Sequence, residues 1–182
     1  MIIAIDGPAA SGKGTLARRI AAHYRLRLLD TGLLYRAVGR ELIRRGLKAD
    51  DTWAAVALAR TLDDRLLDDP ELRSDAAGEA ASIVARIPAV RAALLAYQRA
   101  FAAMPPGAVL DGRDIGTVVV PDAIAKIYVY AGLEERARRR HLELTARGET
   151  ISQDEVRRQI AARDARDMSR SAAPLAAAAD AY

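Results

Sequence analysis

Apolar positions open the chain as a short unbroken run, Met1–Ile5, which stops at Asp6 and passes into Gly7-Pro8. A run of that length closed by turn residues predicts a strand over Met1–Asp6. From Lys13 to about Tyr24 the spacing changes, and Leu16, Ala17 and Ile20 share one face as a helix requires. A second short strand is predicted at Leu26–Leu29, closed by Asp30. Thr31 then reads as the N-cap of a helix that runs to Arg45 and stops at Gly46. Further helical patterns cover Asp51–Leu62, Ala76–Ile87 and Ala89–Met104, the last ended by Pro105-Pro106-Gly107. The acidic stretch Asp63–Asp75, interrupted by Pro70, reads as a loop. Two more strands follow, Ala108–Leu110 closed by Asp111, and Lys126–Tyr130. Charged helices at about Leu133–Arg147 and Gln153–Arg170 meet at a turn containing Gly148, ahead of an Ala-rich tail. No internal repeat is present. Strands alternating with helices imply an α/β fold, a doubly wound parallel sheet that binds ligands at the carboxyl ends of its strands.

Composition then bounds this picture. A length of 182 residues suits one domain, and 51% hydrophobic with 29% charged residues is a globular balance. Apolar runs fall short of the ~20 residues a membrane span needs, and Asp6 breaks the first of them too early for a signal peptide. A cytoplasmic location without membrane attachment is therefore expected. Cysteine is absent and only His23 and His141 are present, which excludes disulfides and thiolate sites and leaves too few ligands for a multi-histidine zinc centre. Of the 28 basic residues, 25 are Arg, and forty residues are Ala. A coding bias explains the average surface position. Some arginines can equally serve a polyanion, because a planar guanidinium holds phosphate bidentately. With 4% aromatics, a base-stacking surface for single strands is not expected.

The chemistry concentrates in Gly7-Pro8-Ala9-Ala10-Ser11-Gly12-Lys13-Gly14-Thr15, between a predicted strand and a predicted helix. Glycines allow such a loop to wrap with its N–H groups inward, the helix N-terminus adds partial positive charge, and Lys13 reaches the β and γ phosphates. The hydroxyl falls at Thr15, one residue later than the strict motif places it, giving G-K-G-T. A guanine-specific switch is disfavoured, since the nearest Lys-x-Asp element, Lys48-Ala49-Asp50, follows Leu47 and the chain contains no asparagine. Asp111, closing an apolar strand, has the position of an acid that holds Mg²⁺ through water.

Four stretches carry a resemblance to the bacterial cytidylate kinases, P-loop nucleoside monophosphate kinases that phosphorylate CMP and dCMP with ATP. They are Gly7–Thr15, Asp30–Arg36 (DTGLLYR), Asp111–Ala123 (DGRDIGTVVVPDA) and Arg163–Arg170 (RDARDMSR). The third and fourth stretches are specific to that family; the loop is not. The resemblance implies ATP on Gly7–Thr15, with Mg²⁺ held by Thr15 and Asp111. It places Thr31, Tyr35 and Arg36 in the monophosphate pocket, and Ser82, Arg91, Arg113 and Asp114 at the cytosine edge and phosphate. Arg163 and Arg170 then contact transferring or acceptor phosphates beside Lys13, and Asp167 the sugar. Residues 31–105 become the CMP side and 133–170 a lid within a single domain 1–182. One of Arg136, Arg138, Arg139 and Arg140 faces the ATP phosphates and the rest are solvated. The implied partners are ATP and CMP or dCMP, not nucleic acid, and the implied state is a monomer.

The sequence departs from the family pattern at Ala9, at a shortened and acidic Leu66–Glu79, and at its end, where a final strand and helix are expected beyond Tyr182. On that reading one sheet edge is exposed. Two alternatives stay open: a nucleotide-binding module with impaired turnover, and a related P-loop kinase for another small acceptor.

Overall fold

β1 (Ile2–Asp6) lies inside a four-stranded sheet, which is why its apolar run does not alternate. A strand covered on both faces has no polar side to present. The computed structural model, which describes Met1–Tyr182, sets β3 (Ala108–Gly112) on one side of β1 and β4 (Ala125–Tyr128) on the other. β2 (Arg27–Asp30) lies beyond β3, so the order is β2-β3-β1-β4, with every pair parallel. In that register Asp6 stands opposite Gly112, and Asp30 opposite Asp111. Three acidic residues thus gather at one carboxyl edge.

Alternate strand residues feed two cores. Ile3, Ile5 and Val109 pack on Ala17 and Ala21 of α1 (Lys13–Tyr24). Ala4, Leu29, Ala108 and Leu110 face the larger core, built with Leu34, Val38 and Leu42 of α2 (Thr31–Arg44) and Leu94 of α5 (Pro88–Ala103). α3 (Thr52–Arg60) and α4 (Asp75–Val84) complete that layer. Helices therefore cover both faces, as the doubly wound expectation requires. A Cβ on Gly39 would lie 2.7 Å from Ala80 Cβ, so α2 and α4 touch almost backbone to backbone. Ala77, Ala80 and Ala81 are buried there. Part of the alanine content is accordingly close packing rather than coding bias.

α6 (Leu133–Ala146) and α7 (Gln153–Met168) form a hairpin with its own small core of Ala137, Leu144, Val156 and Ile160. A unit with a separate core can move relative to the sheet more easily than one sharing the main core.

Several local expectations need correction. Asp30, not Thr31, caps α2: its side chain accepts from the Gly32 amide, and Thr31 is the first helical residue. The expected loop Asp63–Asp75 contains two short 3₁₀ turns, Asp64–Asp68 and Pro70–Arg73, capped by Asp63 and Asp69. α7 stops at Met168, so Arg170 lies off the helix, with its Nε bonded to the Asp167 carbonyl at 3.1 Å. The outer edge of β4 is not wholly open. The Tyr182 amide donates to the Lys126 carbonyl at 2.9 Å, and the Tyr128 amide to the Tyr182 carbonyl at 2.8 Å.

Candidate active site

The carboxyl edge of the sheet opens into a cavity of about 690 Å³, lined by side chains from α1, α2, α4, α5, α6, α7 and the segment after β3. That volume falls in the range of small-molecule sites. Its floor is the loop between β1 and α1. Gly7 enters the loop at φ +150°, and a Cβ there would come within 2.2 Å of the Val129 carbonyl oxygen. Gly12 ends the loop at φ +94°, where a side chain is strained. Ala9 to Thr15 line the cavity, whereas Gly7 and Pro8 support the loop from outside it.

Lys13, at the start of α1, faces Asp111 of the central strand β3, Nζ to Oδ1 3.8 Å. Burial lowers the Lys13 ammonium to about 8, with Arg113 nearby adding to the effect. Burial also raises the Asp111 carboxyl above its ordinary range, against the pull of Lys13. Asp111 Oδ1 is buried without a hydrogen-bond partner, and the Thr15 hydroxyl accepts only from Arg18 Nη2, at 3.2 Å. A magnesium ion takes one or two protein oxygens, and otherwise waters and phosphates. The Asp111 carboxylate and Thr15 hydroxyl fit that demand. No cluster of three or more His, Cys, Asp or Glu offers an all-protein cage.

The other wall carries guanidinium groups. Arg91 bonds to Asp114, which is buried, and stands over the Tyr35 ring at 5.5 Å. Arg113 Nε bonds to Asp167 Oδ2 at 2.9 Å. Burial works against the Asp167 carboxylate, but Arg113, Arg163 and Arg170 together hold it below its ordinary range. Arg36 donates to the carbonyls of Leu72 at 2.7 Å and Ser74 at 3.0 Å, neutral partners that leave its charge uncancelled. Gly78 makes room for it, since a Cβ there would lie 3.0 Å from Arg36 Nη2. Arg163 is lowered to about 10 by burial and then by Arg113 and Arg36. Both Arg163 Nε and Arg170 Nη2 are buried with no partner. A polar wall with more buried cationic donors than carboxylates to receive them suits a ligand carrying several negative charges.

Thr31, Tyr35, Arg36, Ser82, Arg91, Arg113, Asp114, Arg163, Asp167 and Arg170 all line this one cavity, with Thr15 and Asp111 at its loop end. The Thr31 hydroxyl donates to the Asp111 carbonyl at 2.9 Å, and the Ser82 hydroxyl accepts from Arg166 Nε at 3.0 Å. Of the α6 arginines, Arg139 reaches the cavity and Arg138 is exposed. Arg136 fits neither expectation for this group, since it is buried and does not line the cavity. Arg18, Arg19 and Asp30 also line the cleft, a place the sequence reading does not assign to them; only their position one turn from the loop or at a strand end could mark it. Asp6 read merely as the end of an apolar run. Its carboxylate accepts from the Ile115 and Gly116 amides, each at 2.8 Å, and clamps the segment after β3 onto β1. Burial raises it to about 6, against the pull of those two amides.

A glycine-rich loop ahead of a helix, a strand-end acid beside its lysine, and a facing wall of guanidiniums define a P-loop kinase with an anionic acceptor. The comparisons narrow the class. The family model described as Cytidylate kinase matches residues 3–182. A cytidylate kinase of Bradyrhizobium sp. (strain ORS 278) is 58% identical over 182 residues, covering 100% of this chain and 86% of that protein. Cytidylate kinases of Rhodopseudomonas palustris (strain ATCC BAA-98 / CGA009) and Methylobacterium sp. (strain 4-46) are 59% and 61% identical over 181 residues, covering 85% and 86% of their own lengths. The chain belongs to the cytidylate kinase family, and its activity is transfer of a phosphoryl group from ATP to CMP or dCMP. Such ATP-using kinases require a divalent metal.

Proposed function

We propose that the cavity performs this transfer with the donor on the Gly7–Thr15 side and the acceptor on the Arg36–Arg91–Asp114 side. The observation that carries the assignment is the pair of buried guanidinium nitrogens without partners, Arg163 Nε and Arg170 Nη2, in the same cavity as Lys13. Loop amides and Lys13 hold the β and γ phosphates of ATP. Arg36 and Arg113 hold the CMP phosphate, with Thr31 and Tyr35 beside it. Arg91, Asp114 and Ser82 meet the cytosine edge, which offers an amino donor and ring acceptors. An acceptor phosphate oxygen attacks the γ-phosphorus in line as the bond to the β-bridging oxygen breaks, giving CDP and ADP. That oxygen is already anionic at neutral pH, so no general base is required. Arg163 and Arg170 neutralise charge on the transferring group, and Asp167 orients the sugar and the two arginines beside it. Positioning and charge neutralisation supply most of the rate. Thr15 and Asp111 would hold Mg²⁺, which would supply positive charge to offset that on the ATP phosphates.

We assign 31–105 to the acceptor side and 133–170 to the lid of a single domain 1–182. A monomer suffices, because one chain supplies every lining residue. No single helix is long and apolar enough to cross a membrane. Exposed arginines such as Arg44, Arg138 and Arg158 pair with Glu41, Glu135 and Glu155, leaving them poorly suited to nucleic acid. ATP and CMP as substrates accord with action in the cytoplasm.

Arg91→Ala tests the acceptor assignment. It removes a nearly buried partner of Asp114 and should raise the KM for CMP at least about tenfold, the range for losing a charged hydrogen bond. The KM for ATP should stay within about twofold. Equal increases for both substrates would place Arg91 outside the acceptor pocket.

A further inference from the structure

The phosphate loop and the lid hairpin meet at one buried side chain to which the reading above gives no task. Arg136, in the first turn of α6, has a side chain only 6% exposed. Its Nε donates to the Ala131 carbonyl at 2.8 Å. Its Nη1 donates to the Ala9 carbonyl at 3.0 Å and to Asp164 Oδ2 at 2.6 Å. One guanidinium therefore ties together the turn before α6, the phosphate loop and α7.

Each anchor borders a group assigned to the reaction. Ala9 lies in the loop whose amides face the phosphates. Asp164 directly follows Arg163. Ala10, the next loop residue, packs against the small core shared by α6 and α7. The lid thus meets the loop through an apolar contact and a charge-assisted hydrogen bond to the Ala9 carbonyl, while the Arg136–Asp164 ion pair ties α6 to α7. Of the two contacts with the loop, only the hydrogen bond is directional. A planar fork holding three acceptors in a fixed arrangement sets distance and angle, which an alanine methyl against a hydrophobic core does not. The second oxygen of Asp164, Oδ1, is buried without a partner, so Arg136 is the sole side chain answering that carboxylate's charge by hydrogen bond.

We infer that Arg136 and Asp164 are a positioning pair that holds Arg163 in register with the phosphate loop, so that both reach the same transferring phosphoryl group. Neither residue touches substrate; they act through the Ala9 backbone and through Arg163. The inference rests on the assignment of Arg163 to the transferring phosphates.

The test uses the full chain with Arg136→Gln, Asp164→Asn, the double variant and Arg136→Lys. Steady-state kinetics for both substrates are read per active site, beside thermal midpoints. A misplacement of about 1 Å costs up to about a hundredfold in rate, so each single variant should lose between about tenfold and a hundredfold in kcat. The KM for CMP should stay within about threefold. The double variant should be no worse than Arg136→Gln alone, because the two residues form one device. Arg136→Lys should not restore kcat, since one ammonium cannot serve all three acceptors. A merely structural pair would lower the midpoint and the active fraction while leaving kcat per active site within about twofold of the parent, and that result overturns the inference. Should Arg136→Gln fail to fold, Asp164→Asn decides alone, because it keeps the shape and an accepting oxygen. Arg163→Gln separates the two levels. Full activity in that variant sinks the assignment of Arg163, whereas its loss together with normal kcat in Asp164→Asn sinks only the positioning pair.

Discussion

Lys13→Ala should lower kcat by about 10²- to 10³-fold or more, the range for removing a preorganised electrostatic stabiliser. The KM for CMP should change little, because the side chain sits at the loop end of the cavity beside Asp111. ADP release in a coupled assay gives both quantities. The loss should exceed that of an ordinary surface lysine because this ammonium is confined to a poorly hydrated place, where its field on the phosphates is least screened. The same confinement sets a pH dependence. Burial brings Lys13 down to about 8, so without ATP it is charged below that value and increasingly neutral above it. ATP binds the charged form. Its affinity should therefore be flat between about pH 7 and 8 and fall above that by up to about tenfold per pH unit, as binding takes up a proton. In Lys13→Arg that decline should vanish, whatever the residual rate.

Arg163→Gln should cost about 10³-fold in kcat, comparable to loss of an arginine that meets a phosphoryl group in its transition state. Gln keeps much of the length and a donor but removes the charge. The thermal midpoint should not fall. Arg163 is crowded by Arg113 and Arg36 and lowered to about 10, still charged at neutral pH, so its removal relieves repulsion in the empty site. A large loss of rate in a protein at least as stable as its parent would separate a functional group from a structural one. A fall in midpoint that tracks the loss of activity would point the other way.

The parts legible from the chain were those written in local pattern. β1 and β3 announce themselves as short apolar runs ending in Asp, and the loop follows from glycines, a lysine and their place between strand and helix. The acceptor wall was legible through the resemblance, since nothing local in Arg91 or Ser82 marks either as facing a cleft. Both do line it. What stayed hidden depends on distant partners. Asp6 gains its role from amides 109 and 110 positions away, and Arg136 from a carbonyl 127 positions away. No periodicity encodes such pairings, and a charged residue in a charged helix reads as solvated. The cap at Asp30 was missed for a milder reason. Asp and Thr both suit that position, and only the strand's end selects between them. Likewise the outer side of β4 looks open in a one-dimensional reading, yet the backbone of Tyr182 folds back to bond with it.

The most direct measurement is the specificity constant of the parent chain with Mg-ATP and an acceptor panel of CMP, dCMP, UMP and AMP. A pocket in which Arg91, Asp114 and Ser82 meet the cytosine edge rejects bases that leave those buried groups unpaired. CMP and dCMP should therefore exceed UMP and AMP by at least about a hundredfold. UMP or AMP turned over as well as CMP would contradict that assignment of the pocket.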